Sequence, residues 1–263
     1  MIAFRDGAWS AVESTSEEVA PPREVRVATW NAWFGPFQFV RRAHALLAEL
    51  ERKAPDVIAL QEVTPELLAI VQEAPWVRAA YRISHAAVEG YDVLLLSRLA
   101  VKGLAAVELP TMMGRRLVVA ELACGLAVGT VHLESLRDRA SWRATQLKII
   151  LPWLAKTYED AVVVGDMNFD AADEIEQAAL DPAFVDVWPA LHPGDAGYTI
   201  DSDTNAMRLR ASGVGAHARL DRVFVRSSRW RPTAIERLGT EAIDGAGTFA
   251  SDHFGLLATL GTR

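Results

Sequence analysis

The chain has a single cysteine, Cys124, which rules out an intramolecular disulfide and makes a reducing, cytoplasmic setting the expectation. Within Leu-Ala-Cys-Gly it reads as a small turn residue between two strands, not as a reactive thiol. No apolar run approaches membrane-spanning length, and the first twenty residues lack a signal-peptide core, so no membrane partner is expected. Positive charge is also scarce: 27 Lys and Arg against 34 Asp and Glu leave a net charge of −7. That balance counts against sequence-blind duplex binding, which shows a broad basic footprint. A local basic groove stays open, because arginines concentrate over residues 115–143 and 208–222.

There is ample apolar material: 263 residues, 51% hydrophobic with eight Trp, can bury a large core. No Gly/Ser- or Pro-rich linker divides the middle, so residues 25–263 are expected to form one domain, and the protein is expected to be a monomer. Residues 1–24, with Glu13, Glu17, Glu18 and Pro21-Pro22, read as a poorly ordered or peripheral lead-in.

Short β-branched runs such as VRVAT, DVIAL, LAVGT and AVVV read as buried strands. Between them, residues 39–53 carry Val40, Ala43, Leu46, Leu47 and Leu50 at helical spacing, and Thr64-Pro65 starts a second helix in the N-cap, N1 manner. Residues 78–132 read as β, and Asp138 opens a helix that runs to about Lys156 with an interruption at Pro152. Strands with helices spread through both halves predict an α/β fold: two sheets packed face to face with helices outside.

Polar residues follow these strands in a fixed pattern: TWNAW at Asn31, LQEV at Glu62, VHLES at His132, GDMN at Asp166 and Asn168, RLDRVFV at Asp221, and SDHFG at Asp252 and His253. Such groups at strand ends cost desolvation energy unless they meet and satisfy one another in one cleft. The expected product is a metal-dependent hydrolytic site for a phosphate ester. Mg²⁺ (with Mn²⁺ as substitute) suits it, because that ion takes oxygen ligands, keeps several waters and needs only one or two carboxylates. Glu62 is the first candidate ligand and Asp252 a second. An imidazole at His253 held by Asp221 stays cationic and donates to a phosphate oxygen, and His132 adds a second donor. The bland readings are a surface carboxylate for Glu62, a self-capping turn for Asp166-Met-Asn168 and a backbone-satisfied Asp221. His44, His85, His192 and His217 read as structural or exposed.

In identity and order, these phrases resemble the endonuclease/exonuclease/phosphatase superfamily over Val25 to Leu260. The resemblance implies the DNase I-like two-sheet sandwich. It also implies that Asp166 aligns or deprotonates the attacking water while Asn168 and Asn31 serve the phosphate. VHLESLRDRASWRATQLKII, PTMMGRR, FVDVW and YTIDSDTNAM are closest to 5′-tyrosyl-DNA phosphodiesterases, DNA-repair enzymes that free a DNA 5′ end from tyrosine. On that likeness Ser135 and Arg137 contact the phosphate and Tyr91 lines the leaving-phenol pocket. Three positions depart from the pattern: Trp33 stands for an Asp, Asp170 for an Arg and Ile200 for a stacking aromatic. Base–aromatic stacking contributes about 1–3 kcal/mol per base, so a weaker grip on long DNA follows.

Overall fold

The computed structural model describes residues 1–263, apart from the side chain of residue 211. In chain order the first strands are β1 (Ile2–Arg5), β2 (Ala8–Ala11) and β3 (Glu24–Asn31), followed by helix α1 (Phe39–Lys53). Next come β4 (Val57–Val63), α2 (Pro65–Glu73), α3 (Pro75–Ala80), β5 (Arg82–Ile83) and β6 (Asp92–Ser97). The second sheet begins with β7 (Val101–Glu108), β8 (Arg116–Leu122) and β9 (Leu126–His132), then α4 (Ala140–Thr157) and β10 (Asp160–Asp166). Short elements follow: α5 (Glu174–Gln177), β11 (Val185–Asp186), α6 (Val187–Leu191), β12 (Ile200–Asp201), α7 (Met207–Ser212) and β13 (His217–Ala218). The chain closes with β14 (Asp221–Arg226), β15 (Trp230–Leu238) and β16 (Gly255–Thr262).

Eight strands form one sheet in the order β15-β16-β3-β4-β6-β5-β1-β2, and six form the other in the order β11-β14-β10-β9-β8-β7. Val27, Ala59 and Leu95 of the first sheet pack on Val118, Val128 and Val162 of the second, which makes the central core. The outer face of the first sheet is covered by α1 and α2 through Leu46, Leu50, Leu67 and Val71. The outer face of the second is covered by α4 through Leu147, Ile150, Leu151 and Leu154. Strands buried on both faces must be apolar throughout, which is why β4, β9 and β10 read as continuous runs without alternation. Among the described residues, no helix is long and apolar enough to cross a membrane.

Local chemistry accounts for the element ends. Thr64 accepts a hydrogen bond from the Leu67 amide at 3.2 Å and Pro65 occupies the first helical position, as the spacing predicts. Cys124-Gly125 turns β8 into β9, with Gly125 at φ 81°. Two details differ from the sequence expectation. Val40 is 49% exposed, and Arg42 takes the buried place on α1 beside Leu46 and Leu50. Helix α4 runs through Pro152 to Thr157 without a break. The β1–β2 hairpin sits at the outermost edge of the larger sheet.

Candidate active site

Strand register assembles the site. β10 lies between β9 and β14, and its last residue, Asp166, pairs with His132 on one side and Asp221 on the other. Gly165 permits this approach: at φ 144°, an added Cβ would lie 1.9 Å from the Val131 carbonyl oxygen. The facing sheet brings Asn31 at the end of β3 and Glu62 in β4. Asn31 Nδ2 donates to Asp166 Oδ2 at 2.9 Å and to Glu62 Oε1 at 3.2 Å, and so ties the two sheets together at their polar end. The segment before β16 adds Asp252 and His253, with His253 Nδ1 2.7 Å from Asp221 Oδ2 and Nε2 3.9 Å from Asp166 Oδ2. The Asn168 amide donates to Asp166 Oδ1 at 2.9 Å, while its side chain donates to the Leu133 carbonyl at 3.1 Å. Glu62 and Asn168 hold left-handed backbones, φ 59° and 53°, a cost that the surrounding bonds sustain at this cleft.

The two histidines carry opposite charge states. Burial opposes a charge on His253, but Asp221 and Asp166 outweigh it and push its pKa up to about 10, so it is an imidazolium. Burial raises the Asp221 carboxyl, with His253 opposing; the shared proton stays on His253 because Asp166 supplies a second negative neighbour. Burial also lowers His132, to about 3, with Asp166 opposing and Arg115 adding to the effect. Its tautomer is set by Arg115, whose Nη1 lies 3.0 Å from His132 Nδ1. A guanidinium can only donate, so Nδ1 accepts and the proton sits on Nε2, 3.4 Å from Asp166 Oδ2. For Asp166 itself burial works upward, yet His253, His132 and Asn31 prevail and hold its pKa below the ordinary carboxylate range.

Ser135 joins this network: its hydroxyl accepts from Arg115 Nη2 at 2.9 Å and lies 3.4 Å from Asn168 Nδ2. Tyr91 borders it, 5.0 Å from the Phe34 ring and under the Arg115 guanidinium at 5.2 Å. Arg137 lies exposed in a 3-10 turn, Arg137–Arg139, outside the network.

Sequence reasoning singled out neither Arg115 nor Arg42 as a site residue. Arg115 is carried by a loop that Glu134 anchors, accepting from the Thr111 hydroxyl at 2.6 Å and the Met112 amide at 2.9 Å. Arg42 is 1% exposed and donates to the carbonyls of Ala32, Trp33, Gly35, Phe37 and Ala250, clamping the loop after Asn31. A charge on the apolar stripe of α1 was its only sequence signal. Several arginines of the basic segments are committed internally: Arg143 to Glu176 at 2.7 Å, and Arg219 and Arg222 to Asp186 at 2.8 and 2.6 Å.

The three departures have structural roles. Trp33 is half-buried against Arg42, 4.3 Å from ring to guanidinium. Asp170 accepts from the Arg219 amide at 2.6 Å, so it ties down its own loop. Ile200 is 1% exposed and offers no stacking face.

A hard cation fits beside Glu62. That carboxylate faces only neutral donors, Asn31 and the Phe34 amide at 3.0 Å, and burial raises its pKa, with the Phe34 amide and His253 opposing and Asp252 adding. Among the described residues, Asp252 Oδ1 is buried with no partner, the orphan expected where a ligand or its water is to bind. Asp166, Asp221 and His253 also bring ligand atoms within 4.8 Å of one another. A proton already occupies the His253–Asp221 contact, so that trio reads as an acid–base network.

The profile of the Endonuclease/Exonuclease/phosphatase family matches residues 28–253. Tyrosyl-DNA phosphodiesterase 2 of Bos taurus is 31% identical over 272 residues, covering 95% of this chain and 72% of that protein. The Homo sapiens protein of the same name is 30% identical over 275 residues, covering 94% and 73%. The structure of D. rerio TDP2 complexed with single strand DNA product superposes with a TM-score of 0.81 at 26% identity, over 92% of this chain and 100% of that one. A Bacteroides thetaiotaomicron endonuclease/exonuclease/phosphatase family protein shares the fold at 14% identity, with a TM-score of 0.71 over 91% of this chain and 98% of that one.

Proposed function

The chain belongs to the endonuclease/exonuclease/phosphatase family and is a phosphodiester hydrolase, and we propose that its substrate is a DNA 5′ end esterified to tyrosine. The observation that supports this most is the convergence of Asp166, neutral His132 and cationic His253 at one strand end, together with the 31% identity to a tyrosyl-DNA phosphodiesterase over nearly the whole chain. Residues 25–263 form the catalytic domain in this proposal, and residues 1–24 are peripheral to it. The single cysteine is consistent with a cytoplasmic enzyme, which the proposal takes to be a monomer.

Asp166 accepts the proton of a water and aims its oxygen at phosphorus; the P–O bond to the tyrosyl phenol breaks as the new one forms. The His132 Nε2–H and the His253 imidazolium supply donors to the phosphate oxygens, while Asn31 and the Asn168 amide hold Asp166 in place beside them. Glu62 and Asp252 hold Mg²⁺, which neutralises phosphate charge when bound. Asp221 orients His253 and keeps its proton in place. A phenolate leaves more readily than a sugar alkoxide, so a site without a further general acid serves an aryl ester better than an internal DNA linkage.

The test is a substrate panel with Mg²⁺ or Mn²⁺. Cleavage of 5′-tyrosyl oligonucleotides to a 5′-phosphate end, with little plasmid nicking, is expected. Efficient plasmid degradation would point instead to a general nuclease of the same family.

A further inference from the structure

We infer that the groove running from Phe34 past Phe39 and Val40 to Pro65 and Glu66 receives the peptide attached to the tyrosyl leaving group, while DNA lies on the opposite side of the loop after Asn31. The inference rests on the substrate reading above and adds to it where the protein part of the adduct sits.

In-line displacement sets the direction. Water enters from Asp166, and Asn31 spans from Asp166 to Glu62, so the leaving oxygen departs on the Glu62 side. The groove begins there: the Phe34 amide donates to Glu62 Oε2 at 3.0 Å, and the Phe34 ring touches Tyr91 at 5.0 Å. It is an open groove of about 810 Å³, and Phe34 and Val40, 46% and 49% exposed, present apolar surface to it. Arg42 holds the 32–38 loop through four of its carbonyls, so this wall is preformed.

Charge separates the two faces of that loop. On the groove side Glu66 is exposed, and Arg41 pairs with Asp244 at 2.7 Å, a poor lining for phosphates. On the other side Trp33 and Phe37 pack on Met207, Phe249 and Phe254. There Arg210 lies 4.2 Å over the Phe37 ring and Arg208 lies 3.8 Å from Asp252. Cations for a nucleic acid therefore lie on the α7 face, and an apolar channel for a peptide lies on the other.

One oligonucleotide carrying at its 5′ end p-nitrophenol, tyrosine amide or an apolar pentapeptide centred on tyrosine tests the assignment. In the wild type the pentapeptide should raise kcat/KM over tyrosine amide by about tenfold, the effect of bringing roughly one apolar side chain out of water. Val40→Asp should remove most of that gain, and an acidic residue in the first turn of α1 suits the helix dipole, so the fold is retained. Glu66→Lys, a second surface change, should shift preference towards pentapeptides with acidic flanks. Equal rates for tyrosine amide and pentapeptide in the wild type overturn the groove assignment and leave the substrate reading standing. A Val40→Asp loss that tracks oligonucleotide length instead of peptide also overturns it, by placing nucleic acid in the groove. No cleavage of any of the three overturns the substrate reading itself.

Discussion

Asp160 and Asp166 open and close the same strand and are almost fully buried, 0% and 1% exposed, yet they are put to different use. At Asp160 the donors are short and numerous: the Ser227 hydroxyl at 2.5 Å, the Ser228 amide at 2.9 Å and Arg229 Nε at 2.5 Å. Nothing is left for a visitor. At Asp166 two short bonds from Asn31 and Asn168 orient the carboxylate, while the two imidazoles stand off at 3.4 and 3.9 Å. Both carboxylates are held below their ordinary pKa, and burial opposes this at each. The difference teaches that a depressed pKa alone does not mark a catalytic acid or base; acceptor capacity left over after the structural bonds does.

The largest effect should come from the metal. Chelation by EDTA is expected to abolish hydrolysis, and Glu62→Ala should demand a much higher Mg²⁺ concentration for half-maximal rate, because a site with few protein ligands loses its main anchor. Full turnover in a metal-stripped, chelated sample would end the metal-hydrolase reading.

The contrast along β10 is tested next. Asp166→Asn and His253→Ala should each lower kcat by at least about 10²-fold. The near-isosteric Asp166→Asn should keep the fold, whereas His253→Ala strips the buried Asp221 of its partner and should lower the thermal midpoint as well. Asp221→Asn should cost less than His253→Ala, since its work is orientation. Near-native turnover in a folded Asp166→Asn would erase the distinction between Asp160 and Asp166.

Asp160→Asn should show the opposite profile: turnover per folded molecule retained, stability lower by about 2 kcal/mol, in the range of hydrogen bonds to charged groups. Its sign with pH follows from the depressed pKa. The unfolded carboxyl titrates near 3.8 and the folded one below that, so the stabilisation is complete above 3.8 and fades as pH falls through the folded value. Urea melts of both forms should therefore converge in acid and separate towards neutral pH; a gap that stays constant with pH would refute the charge assignment.

The smallest effect concerns Asp170. The missing arginine at this position implied that Asp170→Arg would improve the grip on DNA. The structure redirects that expectation, because Asp170 holds the Arg219 amide at 2.6 Å. Removing it should cost about 1 kcal/mol of stability, the size of one net hydrogen bond, before any gain in KM appears. A lower KM for oligonucleotides without a fall in melting temperature would show that the turn survives the charge reversal.

Much of this was legible in the chain. The two-sheet architecture follows from short β-branched runs and spaced helices, and the residues at those strand ends are the ones the register gathers. Arg137 stands apart from the group because HLES is followed by an exposed 3-10 turn that no local pattern announces. Arg115 was indistinguishable in sequence from its neighbour Arg116, which pairs with Asp92 instead. Arg115 ends the loop before β8 while Arg116 opens the strand, so the two adjacent arginines meet different partners.

By itself the sequence determined which chemical groups stand at the strand ends, since apolar runs can only terminate where polar groups find water or one another. A cationic His253 beside Asp221 was expected from the sequence, but only the tertiary structure decided the neutral state of His132. Burial keeps His132 neutral, with Asp166 opposing and Arg115 adding to the effect, whereas at His253 Asp221 and Asp166 outweigh burial. Arg115 and Asp221 lie 17 and 32 residues away along the chain from the rings they touch. Electrostatic interaction depends on distance and burial in space, and neither is written in the order of residues.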